Sequence, residues 1–371
     1  MKTRRFALSR AALLLAAALA FGAAARAEAA DGIALSGHVQ QSASVAMSFL
    51  GDPSPSAGGA SSLALALDAS RGSTSFRASV HFALLCGNEA AFLWSSLQLS
   101  PGKALAFLMA PPFEPASAAP ETIALLALDD LALRWDSGAF AFEAGKTYAN
   151  WGLGKAFSPA DFFAEFDYSS GSPARLSKLI ARATWFPGSA SRVDLVYDPY
   201  AEAGATLAAR AYIATFDSLA FSAEVGLRAA AGASPQSFLG AIEATFDLPF
   251  ASPYGEAAVV LPLDGSAAVS WSLLGGGIAR IGGATMVGEY LFSPEATTHH
   301  SFFAQIGAPI DEWASISLPL FYYPESGMLT AGITVSASDI EGLDLGLTVA
   351  ASHSASQAWS GKLSLTARAD F

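Results

Sequence analysis

The charged residues between positions 155 and 175 are the first feature of this sequence that could do chemistry. Lys155, Asp161, Glu165, Asp167 and Arg175 fall within one short stretch rich in aromatic residues. Cations and anions opposed across a narrow aqueous passage set up a transverse field that sorts ions. Other kinds of chemistry find no comparable set of residues. His299 and His300 adjoin, but successive strand residues face opposite ways and do not chelate one metal ion together. His38, His81 and His353 are scattered, and no Ser/His/Asp set stands out by spacing. Gly275-Gly276-Gly277-Ile278-Ala279-Arg280 lacks the G-x-G-x-x-G spacing of a dinucleotide site. Cys86 is the sole cysteine, which excludes an internal disulfide and a cysteine-rich metal site; it reads as a buried spectator. No enzymatic activity and no cofactor are therefore expected.

A transverse field needs walls, and the composition restricts what they are. Of the residues, 52% are hydrophobic and 14% charged, against about 25% charged in soluble domains. Beyond the first thirty residues no run of 18 apolar residues occurs, so membrane helices are not expected. Period-2 alternation recurs instead. Phe76, Ala78, Val80, Phe82 and Leu84 share a face opposite Arg77, Ser79 and His81. Leu131, Leu133 and Trp135 oppose Asp130, Ala132 and Arg134; Leu219, Phe221, Ala223, Val225 and Leu227 oppose Glu224 and Arg228. An apolar chain that alternates and is not helical satisfies its backbone in hydrocarbon only as a closed barrel. A secreted sandwich also alternates, but its polar faces need not be so rich in Gly, Ala, Ser and Thr.

The fold expected is all-β: a transmembrane antiparallel up-and-down β-barrel of about 18 strands, with 16 or 20 also compatible with the pattern. The strands read as 33–48, 62–70, 74–84, 122–135, 139–148, 177–186, 192–198, 204–215, 218–229, 236–247, 252–262, 266–277, 282–292, 299–308, 312–322, 327–337, 342–353 and 360–371. Residues 88–112 have room for another hairpin, and 266–292 is Gly-rich and ambiguous. Long connections at 49–61, 85–121, 149–176, 293–298 and 354–359 fall on one end of the barrel, short turns on the other, as outer-membrane barrels require. On this reading Arg134, Arg182, Asp194, Arg210, Glu224, Arg228, Lys362 and Arg368 face the lumen.

Residues 1–30 read as a signal peptide: Lys2, Arg4, Arg5 and Arg10, an apolar run from Ala11 to Phe21, then small residues. Residues 31–371 form one barrel domain. Setting the first thirty aside leaves 15 Lys+Arg against 31 Asp+Glu, a net charge of −16. Nucleic acid is a poor partner for such a charge. In the last segment Leu363, Leu365, Ala367, Ala369 and Phe371 form one face, with Lys362, Ser364, Thr366, Arg368 and Asp370 on the other. It resembles the terminal strand of bacterial outer-membrane proteins, whose alternating apolar residues and closing Phe are recognised by the barrel assembly machinery. That resemblance implies an outer-membrane location in a diderm bacterium and contact with outer-membrane lipids.

A second resemblance lies in Gly145-Lys146-Thr147-Tyr148-Ala149-Asn150-Trp151-Gly152 and Phe157-Ser158-Pro159-Ala160-Asp161-Phe162-Phe163. Little-characterised spirochaete-type outer-membrane barrels carry a similar strand end followed by a WG…SPxDxF loop; Thr147 stands where their pattern has Gln. Two readings of this loop stay open. It is a structural loop with Trp151 at the membrane interface, or it folds into the lumen and narrows it, putting the charges at 155–175 to work.

The function expected is a porin-like outer-membrane channel, monomeric or homotrimeric, for passive diffusion of small hydrophilic solutes. Its acidic loops predict a weak cation preference. The apolar residues of 85–121, among them Phe92, Leu93, Trp94, Phe107 and Leu108, suggest a stretch packed in the barrel mouth or, alternatively, an entry site for a transporter of hydrophobic compounds. A plugged structural or adhesive barrel is the third reading.

Overall fold

The structure is a computed structural model. It describes residues 32–48, 55–91, 106–109, 121–163, 166–167, 174–199, 205–216, 218–229, 235–263, 265, 268–340, 342–354 and 357–370. The expected signal segment, Glu165 and Phe371 lie outside the described residues.

The strands are β1 (Ile33–Ser48), β2 (Ser56–Arg71), β3 (Thr74–Gly87), β4 (Ala106–Met109), β5 (Thr122–Asp136), β6 (Phe140–Thr147), β7 (Phe166–Asp167) and β8 (Ala174–Arg175). They continue as β9 (Lys178–Gly188), β10 (Ser191–Asp198), β11 (Ala205–Phe216), β12 (Leu219–Ala229), β13 (Pro235–Phe246), β14 (Ala251–Pro262) and β15 (Ser270–Ile281). The last are β16 (Ala284–Phe292), β17 (His300–Asp311), β18 (Ala314–Tyr323), β19 (Met328–Ile340), β20 (Leu343–Ser354) and β21 (Gln357–Asp370). Nineteen of these join one sheet, and β1 pairs with β21 (Ser42 opposite Thr366) to close it. Leaving out the four-residue β4, the ring has eighteen antiparallel strands, each opposite an expected one.

The burial pattern is that of a membrane barrel, with apolar residues outside and charges inside. Leu195, Tyr197, Leu207, Val225 and Ile242 are 44–53% exposed, whereas Asp194, Asp198, Arg210, Glu224 and Glu243 are at most 5% exposed. Aromatic residues collect at both ends of this outer face, where amphipathic rings settle at membrane interfaces. Trp135 stacks on Phe142 at 5.7 Å near the short turns, and Tyr290 meets Phe302 at 4.9 Å near the long connections. No helix among the described residues is long and apolar enough to cross a membrane.

Three local departures from simple alternation shape the lumen. First, β5 pairs with β3 through a shift that puts Asp130 opposite Ser79 and Leu128 opposite Val80. The extra residue, Asp129, is a bulge that switches which positions of β5 face inward. Second, β6 pairs with β5 only from Lys146 opposite Leu131 downward, and β4 takes the free edge above it, with Leu108 opposite Leu125. Of the 88–112 stretch, Ala106–Met109 forms a strand on the edge of β5; 92–105 and 110–112, where the expected hairpin would fall, lie outside the described residues. Third, β3 ends at Gly87 (φ +63°) and residues 88–91 form one helical turn. Cys86 is exposed, not buried, because it falls on the outward face of β3.

Candidate functional site

The chain leaving β6 at Thr147 turns into the barrel. Asn150 (φ +53°) and Gly152 (φ +78°) bend it there. Trp151 and Phe163, 1% and 3% exposed, meet edge to face at 5.1 Å and pack on Ile180 of β9, Val196 of β10 and Ala208 of β11. Trp151 is therefore an interior anchor and not an interfacial residue. A few positions on, Ala156 and Phe157 pack against Tyr254 of β14, Leu274 of β15, Phe303 of β17 and Phe321 of β18. The loop spans the interior from one wall to the other.

Two glutamates of the far wall hold it there. Glu256 of β14 accepts the main-chain N–H groups of Leu153, Gly154 (2.7 Å) and Ala160 (3.0 Å), and the Ser158 hydroxyl at 3.4 Å. Glu289 of β16 accepts those of Lys155, Ala156 (2.9 Å) and Phe157 (3.0 Å), and the Tyr254 hydroxyl at 2.5 Å. Converging main-chain N–H groups make a nest that binds anions. Here the anions are the protein's own carboxylates, which satisfy a buried backbone that has lost its water. The glycines around the nest are there for space. A Cβ on Gly154 would lie 1.6 Å from the Phe157 carbonyl oxygen, and one on Gly276 would lie 2.8 Å from the Tyr254 ring.

Of the five charged residues expected at the constriction, Asp161 and Arg175 come together. Asp161 is 6% exposed, forms an ion pair with Arg175 and accepts the Phe163 N–H at 3.0 Å. Burial pushes its carboxyl above the usual carboxylate range, with Arg175 opposing that shift. Arg175 also donates to the Trp151 carbonyl at 2.8 Å, so this pair ties the loop to itself. Lys155 gives its main-chain N–H to Glu289 while its side chain stays exposed. Asp167 lies in β7, paired with Ala174, and Glu165 lies outside the described residues.

Of the expected lumen-facing residues, Arg210 and Glu224 come together: Arg210 bridges Glu224 at 3.0 Å and Glu243 at 2.5 Å. Arg182 faces Glu143 at 3.5 Å and donates to the carbonyls of Tyr148 and Ala149, supporting the root of the loop. Asp194 takes the Thr184 hydroxyl at 2.7 Å and Arg192 at 2.9 Å, and Arg228 donates to Thr206 at 3.3 Å. Arg134 and Arg368 stand near the short-turn end with Asp136 (3.0 Å) and Asp370 (2.8 Å), and Lys362 meets Glu89 at 2.8 Å. In β21, Leu363 and Leu365 are 48% and 57% exposed on the outer face that Ala367 and Ala369 share.

Glu243, Glu256, Glu289 and Tyr254 were not singled out by the sequence. The signal that marks them is an acid or tyrosine on the inner face of three neighbouring segments, opposite a glycine-rich strand.

The described part of the loop packs on one side of the lumen, against β9–β11 and β14–β18. Inner-face Ser42, Ser62, Thr334, Thr348 and Thr366, on β1, β2, β19, β20 and β21, are half-exposed although they point into the barrel. Among the described residues these five strands line a passage beside the docked loop, with Lys362 and Arg368 on the same inner face as the hydroxyls.

No protein-family model matches this chain, and no curated protein does. Solved structures do match along nearly the whole length. OccK9 (OpdG) of Pseudomonas aeruginosa superposes with a TM-score of 0.61 at 9% identity, over 91% of this chain and 98% of its own. OccAB4 of Acinetobacter baumannii gives 0.59 at 7% identity, over 93% and 99%. The outer membrane protein OpdK of P. aeruginosa gives 0.59 at 9% identity, over 91% and 98%. With the inverted burial and the two aromatic belts, these likenesses show that the chain has the fold of an outer-membrane β-barrel.

Proposed function

We propose that the protein is a porin-like outer-membrane channel through which small hydrophilic solutes diffuse passively. The observation that carries this reading is made on the described residues: along β1, β2 and β19–β21 inward Ser and Thr side chains stay partly exposed beside a loop fastened to the opposite wall. A plugged barrel would bury those side chains as fully as Asp194, Glu224 and Glu243 are buried under the loop. An eighteen-stranded ring is wide enough to leave such a path. No cofactor takes part: a wet lumen and a constriction suffice.

In this reading the segment 151–163 is the constriction loop, the counterpart of the WG…SPxDxF loop it resembles in spirochaete-type barrels. Lys155 is its exposed charge, and Asp161 with Arg175 stiffens it. The long connections face the outside of the cell, the short turns the periplasm, and the protein works as a monomer or homotrimer among outer-membrane lipids after delivery by the assembly machinery. The test is single-channel recording of refolded residues 31–371 in planar bilayers. Stable ohmic steps support the channel; silence from protein shown to be folded removes it.

A further inference from the structure

The loop that fills one side of the lumen is not the only part of the chain that enters it. After β3, the helical turn at 88–91 reaches back across the inner faces of β2 and β1 to β21. Gly87 starts it in the left-handed region (φ +63°), where a Cβ would lie 2.1 Å from the Ala57 carbonyl oxygen. Gly58 on β2 makes the next space: a Cβ there would lie 1.7 Å from Asn88 Oδ1. On β1, Ser44 donates to Glu89 at 2.5 Å and lies 3.4 Å from Asn88 Oδ1. On β21, the Lys362 ammonium meets the same Glu89 oxygen at 2.8 Å. With neighbouring strands about 4.8 Å apart, a reach from β3 to β21 covers roughly 14 Å of barrel wall.

This wall lies outside the one on which the described part of the constriction loop packs. Lys362 stands opposite Ala46 on β1 and shares the inner face with Ser364 and Thr366, the passage lining. Ala90 is completely buried and Ser44 is 4% exposed, so the turn is seated against the wall. The side chains of Glu89 and Lys362 nevertheless keep 22% and 41% of their exposure, and they keep it on the lumen side. The geometry points to Glu89 and Lys362 as a second arm of the constriction, a charge pair that faces the docked loop across the open passage and sets ion preference there. This inference rests on the channel reading and adds to it residues outside the loop.

One unit charge at about 6 Å in water changes a local ion concentration roughly threefold, and salt screens this beyond a Debye length. The pair is neutral, so removing either member uncovers the other. In bilayer recordings at low salt, Glu89→Gln is expected to move the permeability ratio toward anions by about threefold, and Lys362→Gln toward cations by a similar factor. The double variant is expected to return close to the parent ratio. A merely structural contact does not give two shifts of opposite sign that cancel. Gly58→Val, which expels Asn88 without touching a charge, is expected to widen the passage and raise unit conductance. Each variant is first shown to be folded by its heat-dependent migration on a gel. Unmoved ratios in a conducting protein, or shifts of the same sign, overturn this inference and leave the channel standing. Silence of the folded parent protein overturns both.

Discussion

The carboxylate of Glu256 accepts the main-chain N–H of Gly154 at 2.7 Å from 102 residues away in the chain. That bond, with its neighbours, turns a surface loop into part of the lumen. It also creates a conflict, because Glu256 stands directly opposite Glu243 in the β13–β14 register. Like charges facing each other across a strand pair cost about 0.2–1 kcal/mol. Each hydrogen bond to a charged group returns about 1.5–3 kcal/mol. With three N–H groups on Glu256, the loop contact prevails and the repulsion is tolerated.

The first prediction follows from that comparison. Glu256→Gln relieves the repulsion but turns an N–H donor toward the nest, and is expected to destabilise the protein by on the order of 3 kcal/mol. Denaturant unfolding in detergent measures this, and single-channel records should show added current noise from the released loop. Gly154→Ala tests the same docking without changing a charge, since its Cβ would lie 1.6 Å from the Phe157 carbonyl oxygen. If both variants stay as quiet and as stable as the parent, the nest does not hold the loop.

Arg210 carries a different kind of burden. It bridges Glu224 and Glu243, and all three are at most 5% exposed. Arg210→Leu leaves two buried carboxylates without their cation, and breaking a buried pair in this way costs about 3–5 kcal/mol. Glu243→Gln keeps the Arg210–Glu224 pair and removes a repulsion, so it should be close to neutral. Chemical denaturation of the two variants side by side checks the asymmetry; equal losses would contradict it.

Inside and outside are also testable, on β12 and β20. Val225 is 53% exposed beside Glu224 at 1%, and the two differ by one residue of alternation. Val225→Arg puts a charge into lipid and should cost about 2–4 kcal/mol at mid-membrane depth. Thr348→Arg puts the same charge into the lumen, where Thr348 meets Thr334 at 3.1 Å, and should fold normally while lowering conductance. Folding yields into vesicles distinguish the two; a Val225→Arg variant that folds as well as the parent would invert the lumen assignment.

The barrel was legible in the sequence because its determinants are local. Alternation such as Leu219 to Leu227 against Glu224 and Arg228 is written within one strand, and all eighteen expected strands have their counterparts. The bulge at Asp129 was not legible, since a single inserted residue looks like any other until Asp130 and Leu128 are aligned with Ser79 and Val80. Nor was the docking of the loop. Trp151 looked suited to the interface because indoles settle there, and its burial depends on Ile180, Val196 and Ala208 on three other strands. Glu256 and Glu289 were not singled out, because their partners lie roughly a hundred residues away, beyond the reach of any periodicity. The Gly-rich stretch at 266–292, ambiguous by propensity, is explained by the same docking, because Gly276 makes room for Tyr254 and Glu289.

The last prediction concerns acid. Burial alone would raise the Glu89 carboxyl, but Lys362 and the Ser44 hydroxyl outweigh it and hold the group below its ordinary value. A carboxylate lowered in the folded protein contributes stability that is present above its unfolded value and lost as pH falls through the folded one. The Glu89–Lys362 contact should therefore survive from neutral pH down to the ordinary glutamate value. It should fail below that value, where Glu89 takes up a proton and Lys362 is left as a lone cation in the passage. Ion preference of the parent protein should then swing toward anions at that low pH, whereas Glu89→Gln, already in that condition, should show no such swing. Reversal potentials recorded from neutral to strongly acid solution decide the matter, with the variant subtracting every other titrating group in the lumen. A swing of equal size in both proteins would assign the acid response to some other carboxylate.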